Sequence, residues 1–151
     1  MSSDRTKIES VKPDERLENI AVALSIPKVE RHIFLCADQS NPKCASRVVT
    51  NELWRHLKSR LKETNMTSAP PGWQGEMDKD PDPVEPGEGT VLRSKVDCLR
   101  ICEQGAIAVV YPDGTWYARL DVEKLDRIID EHLVGGRPVD ELSFTTGDLK
   151  P

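Results

Sequence analysis

The sequence predicts an α/β domain built on a mixed sheet flanked by helices. Three observations carry this reading. Short apolar runs rich in β-branched and aromatic residues occur at 32–36 and 106–111, two amphipathic helical stretches follow such runs, and Pro112-Asp113-Gly114 separates two strand-like segments. The order is therefore strand, helix, strand, strand-turn-strand, helix, with no internal repeat. A length of 151 residues at 37% hydrophobic composition suits one domain of roughly 100 to 150 residues with ragged ends and leaves no room for a second.

Taken in order, Leu17, Ile20, Ala21 and Leu24 lie at helical spacing and predict one short helix ending before Pro27, within an N-terminal extension of residues 1–30. His32-Ile33-Phe34-Leu35-Cys36 reads as the first strand, closed by the turn formers Ala-Asp-Gln-Ser-Asn-Pro. From Ser46 onward, Val49, Leu53, Trp54, Leu57 and Leu61 line one side of a helix whose other side carries Arg47, Asn51, Arg55, Lys58 and Lys62. Thr90 to Val96 alternates imperfectly and is read as a strand. Ala106 to Tyr111 is continuously apolar, as a strand buried on both faces must be. Proline fixes one φ of the following turn, aspartate favours it, and glycine tolerates a positive φ, so Thr115 to Ala118 returns as a hairpin partner. Asp121 caps a final helix with the stripe Val122, Leu125, Ile128, Ile129 and Leu133, closed by Gly135-Gly136. The domain is read as 31–142 and the remainder, 143–151, as a tail.

Charge is distributed unevenly. The formal charge is -5, and residues 64–90 carry all of it: Glu76, Asp78, Asp80, Asp82, Glu85 and Glu88 against Lys79 alone. An acidic chain is a poor match for phosphate backbones, so nucleic acid is not an expected partner. The same segment holds five prolines and four glycines, a composition that buries too little apolar surface to offset its ordering entropy and predicts a mobile acidic insertion. Its readings are a solvated insertion or a docking arm for a basic partner; Trp73 argues for contact. No apolar stretch approaches the roughly 18 to 20 residues of a membrane span. The start, Met1-Ser2-Ser3-Asp4-Arg5, lacks the pattern of a secretion signal, so a cytoplasmic location is expected.

Chemistry concentrates in four cysteines, Cys36, Cys44, Cys98 and Cys102, spaced C-x7-C and C-x3-C and lying at or after strand ends. In a reducing compartment stable disulfides are disfavoured. Structural zinc usually shows C-x2-C knuckles, and thioredoxin-type redox pairs show C-x-x-C; neither spacing is present. Four thiolates also suit a 2Fe-2S cluster, although no familiar ferredoxin spacing occurs. Four buried free thiols are a further reading, weakened by the charged neighbours Asp38, Lys43, Asp97, Arg100 and Glu103. Spacing alone leaves these open. His32, His56 and His132 are scattered; His56 reads as solvated and His32 as a remote candidate for a surface neighbour of the cysteine site. Gly135-Gly136 and Pro86-Gly87-Glu88-Gly89 are not nucleotide loops, so neither flavin nor nicotinamide is indicated.

Ile33-Phe34-Leu35-Cys36, Lys43-Cys44-Ala45-Ser46 before the Trp54 helix, Cys98-Leu99-Arg100-Ile101-Cys102 with Gly105, Val109 through Tyr117, and Glu131 through Val139 together resemble the thioredoxin-like 2Fe-2S ferredoxins, with the nearest likeness to cyanobacterial members. The resemblance spans about residues 30–142 apart from the acidic insertion. It implies a thioredoxin-like fold, a 2Fe-2S cluster held by Cys36, Cys44, Cys98 and Cys102, frequently a homodimer, and a carrier of single electrons between partner proteins rather than an enzyme, alone or within a larger oxidoreductase. The alternatives on this fold are a thiol-disulfide oxidoreductase using Cys98 and Cys102, or a zinc or redox-sensing module. Arg100 is a candidate for tuning the cluster, and Gly105 for close backbone approach.

Overall fold

Apolar periodicity settles where each helix sits. In the computed structural model, which describes residues 13–148, the elements are α1 (Pro13–Ala23), β1 (Arg31–Cys36), α2 (Arg47–Glu63), β2 (Val91–Val96), β3 (Ala108–Tyr111), β4 (Thr115–Tyr117), α3 (Val122–Arg127) and β5 (Ser143–Thr146). Helix α3 runs on through a π-helical segment, Ile128–Val134. Ser46 Oγ accepts from the Val49 amide at the start of α2, and Asp121 caps α3 through the Lys124 amide, each satisfying an amide that has no partner within its helix.

The five strands form one sheet in the order β2-β1-β3-β4-β5. Strands β1 and β2 are parallel, with Arg31 opposite Val91 and Cys36 opposite Val96; the remaining pairs are antiparallel. The mixed α/β architecture expected from the sequence is therefore present. A parallel neighbour requires a crossover, which α2 supplies. Leu53, Leu57 and Leu61 of α2 and Leu125, Ile128, Ile129 and Leu133 of the last helix join Ile33, Leu35, Ala108, Val110 and Tyr117 in one core. Each such leucine or isoleucine contributes about 1.5 to 3 kcal/mol on full burial. The other sheet face carries His32, Phe34, Tyr111, Trp116 and Phe144, with His32 stacked on Phe34 at 4.0 Å.

Two expectations need correction. Ser143 to Thr146, read as part of a tail, pairs with β4 as an edge strand; four residues with one aromatic offer no alternation to detect. The acidic segment has no regular structure, yet it is a strap seated on α1 rather than the mobile loop its composition predicts. Trp73 is 7% exposed, and the Arg16 guanidinium lies 4.8 Å from its ring centroid. Arg16 also donates to the Lys79 and Glu76 carbonyls. The Gly87 amide donates to the Val22 carbonyl and Ser25 Oγ to the Gly89 carbonyl. Average composition misses this because one buried indole and one buried guanidinium, placed 57 positions apart in sequence, hold the segment. Among the described residues no helix is long and apolar enough to cross a membrane. The N-terminal expectations for residues 1–12 fall outside the described residues.

Candidate metal centre

Parallel pairing places the ends of β1 and β2 side by side, so the loops that follow them share one edge of the sheet. Cys36 closes β1, Cys44 lies in the loop leading to α2, and Cys98 and Cys102 lie in the loop after β2. All four line a single cavity of about 200 Å³ with Gln39, Ser40, Asn41, Lys43, Asp97 and Ile101. All four are free; Cys36 is buried, Cys44 half-buried, and Cys98 and Cys102 exposed.

The two loops are fastened by polar bonds. Asp97 accepts from the Ser40 amide at 2.6 Å and from Ser40 Oγ at 2.9 Å, and the Ser40 backbone N–H holds the Asp97 carboxyl below the usual carboxylate range. The Gly105 amide donates to the Cys44 carbonyl at 2.7 Å. A Cβ on Gly105 would stand 2.7 Å from the Cys44 carbonyl carbon, Cβ and oxygen, so close approach of the two cysteine loops is what requires glycine here. On the β1 side, the Gln39 carbonyl accepts from Arg47 Nε at 2.9 Å.

Three sulfurs face N–H donors. The Leu99 amide lies 3.2 Å from Cys36 Sγ, the Arg100 amide 3.1 Å from Cys98 Sγ, and Gln39 Nε2 3.4 Å from Cys44 Sγ. Donors aimed at sulfur match anionic sulfur, since a neutral thiol is a weak acceptor. Burial pushes the Cys36 thiol up to about 12, opposed by the Leu99 amide and reinforced by the nearby Cys44 and Cys98. A buried thiol of this kind ionises only beside a compensating cation, which a coordinated metal supplies.

The geometry also weighs the alternatives. Among the described residues no group of three or more His, Cys, Asp or Glu side chains is placed to hold a single metal ion. Cys98 to Cys102 is irregular backbone, without the helix N-terminus that lowers the attacking thiol's pKa in thioredoxin-type redox pairs.

Arg100 contributes its backbone N–H, with φ 73°, and its side chain is exposed. His32 sits at the far end of β1, bonded to Ser94 Oγ at 2.8 Å, and is not a neighbour of the cysteines. His56 is not simply solvated: it pairs with Asp126 at 2.6 Å, a carboxylate shared with Arg60. His132 is buried between Tyr117 and Asp113. Tyr117 is core, and Trp116 contacts Phe144 across the open sheet face. Sequence reasoning passed over Gln39 as a turn former; its flanking position in Cys36-Ala37-Asp38-Gln39 was the available signal.

No family model matches the chain. It is 40% identical over 58 residues to a protein named Ferredoxin, 2Fe-2S from Aquifex aeolicus (strain VF5), covering 38% of this chain and 52% of that protein. A protein of the same name from Clostridium pasteurianum is 36% identical over 54 residues, covering 36% and 53%. The chain thus spans about half the length of the curated relatives it matches. The solved thioredoxin-like 2Fe-2S ferredoxin of Aquifex aeolicus aligns with a TM-score of 0.56 at 25% identity, covering 82% of this chain and 96% of that one. The fold is thioredoxin-like, and the resemblance read from the sequence holds in both comparisons.

Proposed function

We propose that this chain is a one-electron carrier of the thioredoxin-like 2Fe-2S ferredoxin type, in which Cys36, Cys44, Cys98 and Cys102 hold the cluster. The observation that carries the reading is the single cavity lined by all four sulfurs, three of them already facing N–H donors. When bound, the cluster supplies a site that takes up and returns one electron, passing from a dianion to a trianion with its thiolates.

The chain's own residues do the rest. The Leu99 and Arg100 amides direct partial positive charge at Cys36 and Cys98, favouring the more negative state. The core beneath Cys36 excludes water on one side, and the exposed Cys98 and Cys102 mark the edge at which a redox partner protein approaches. No substrate pocket is needed, so the reading is a carrier rather than an enzyme, acting alone or within a larger oxidoreductase. Residues 31–146, which include the edge strand β5, form the carrier domain, with 64–90 its acidic insertion. The homodimer implied by the resemblance belongs to the same reading and is supported by the aromatic residues His32, Phe34, Tyr111, Trp116 and Phe144 gathered on the sheet face opposite the core; sedimentation of the loaded protein tests it.

The decisive experiment is anaerobic reconstitution with iron and sulfide followed by metal analysis and electron paramagnetic resonance of the dithionite-reduced protein. Two irons and two sulfides per chain with a spin-half signal are expected. A colourless protein, or one zinc per chain, would overturn the reading.

A further inference from the structure

A buried amide side chain in an irregular loop costs free energy unless both of its ends are bonded. Gln39 is 2% exposed, and both ends are bonded. Its Oε1 accepts from Thr50 Oγ1 at 2.8 Å, and its Nε2 donates to Cys44 Sγ at 3.4 Å. Thr50 is fully buried on the first turns of α2, so the amide is anchored to a rigid element. Its backbone carbonyl is gripped by Arg47 of the same helix. The orientation follows once Cys44 is a thiolate ligand, as the cluster reading requires. Turning the amide over would aim Oε1 at the sulfur, two acceptors facing each other, and would exchange the 2.8 Å acceptance from Thr50 for a weaker arrangement, because the hydroxyl's other acceptor, the Arg47 carbonyl, lies at 3.3 Å.

We propose that Gln39 is a positioning residue for electron transfer: held by Thr50, it presents an N–H to Cys44 and thereby raises the reduction potential of the centre. This rests on the cluster reading above and deepens it. Unlike the Leu99 and Arg100 amides, which the backbone provides whatever the residue, this donor is set by side-chain identity and by one partner on α2. The donor stabilises the state with more negative charge on sulfur, so removing it disfavours the reduced form.

The test uses reconstituted full-length protein and compares wild type, Gln39→Leu and Thr50→Val by potentiometric titration and electron paramagnetic resonance. In Gln39→Leu the reduced-to-oxidised ratio at fixed ambient potential is expected to fall about threefold to tenfold, tenfold being 59 mV for one electron, with altered g-values. Thr50→Val keeps the amide but frees it, and is expected to shift the same way by less. Should Gln39→Leu fail to fold or load, Thr50→Val decides alone. Loaded variants titrating at the wild-type potential with unchanged g-values would overturn the proposal while leaving the carrier reading intact. Wild-type protein that takes up no cluster would overturn the carrier reading and this proposal with it.

Discussion

Two irregular regions of this molecule are held by different mixtures of contacts. At the outgoing ends of β1 and β2 the cysteine loops are tied by directional polar bonds: Asp97 to Ser40, Gly105 to Cys44, Gln39 to Thr50 and Arg47 to Gln39. At the incoming ends, about 20 Å away along six-residue strands, the acidic strap is centred on the Trp73 ring over Arg16, with bonds to backbone carbonyls around it: Arg16 to Lys79 and Glu76, Trp73 Nε1 to Asp82 and Ser25 to Gly89. A hydrogen bond fixes direction as well as distance, whereas an indole against a guanidinium fixes mainly proximity. On the carrier reading four sulfurs must meet one object, so the first region needs direction. The strap only has to cover α1. Irregular backbone is ordered by what its few buried groups bond to, and the kind of bond reflects how finely position matters.

The largest effect is expected at the sulfurs. Replacing Cys44, half-buried and without a core role, by alanine is expected to lower iron and sulfide content by at least about tenfold. The urea midpoint of the apoprotein should change little. Unchanged cluster content in Cys44→Ala would mean that the polar fastening of this loop serves something other than a metal centre.

At the opposite pole, Trp73→Ala removes an indole whose burial in a packed core is worth about 3 to 5 kcal/mol. Because the contacts join only α1 and the strap, the loss should appear as local opening. Hydrogen exchange at the Gly87 and Gly89 amides, bonded to Val22 and Ser68, should accelerate at least about tenfold, while the potential of the loaded protein stays put. A changed potential would show that the two regions are coupled.

A subtler probe is Gly105→Ala. Its Cβ would collide with the backbone of Cys44 at 2.7 Å, and relief requires the cysteine loops to part. Overpacking of this kind costs about 1 to 3 kcal/mol, expected here as a lower denaturation midpoint together with reduced cluster loading. A normal midpoint and full loading would show that the loops yield freely and that their close approach is incidental.

How much of this was legible beforehand follows the same division. The helices and inner strands announced themselves because burial imposes periodicity: Leu53, Leu57 and Leu61, or the unbroken run 106–110, all of it buried. The edge strand 143–146 did not, since its only support is pairing with β4. Cysteine spacing was uninformative, because convergence comes from Cys36 standing opposite Val96 in a parallel pair, a topological fact that no C-x7-C count contains. The resemblance, together with cysteines falling at strand ends, supplied what spacing could not. Trp73 signalled a contact but not its partner, and Gln39 gave no signal beyond its place in the turn; each matters through one or two distant partners, and composition averages such partners away.

The smallest expected effect concerns His132, which lies at the strap end of the sheet but is held by directional bonds like those of the cysteine loops. Its Nδ1 meets Tyr117 Oη at 2.8 Å and its Nε2 meets Asp113 at 2.6 Å, while the Tyr117 hydroxyl also accepts from the Val139 amide at 3.0 Å. Burial lowers the His132 pKa below 6.5, and this outweighs the raising effect of Asp113. The folded state therefore prefers neutral imidazole, and the unfolded state takes up the proton first as pH falls. Stability from this site is complete above about pH 6.5 and is lost as pH drops below it toward the folded value. The apoprotein's urea midpoint should decrease between pH 7.5 and about pH 5, and His132→Gln should flatten that slope, leaving a residual from His32, whose pKa burial lowers in the same sense. A midpoint that rises on acidification would mean that Asp113 wins over burial, so that the buried network is an ion pair and its proton is part of what holds the last helix to the β3–β4 hairpin.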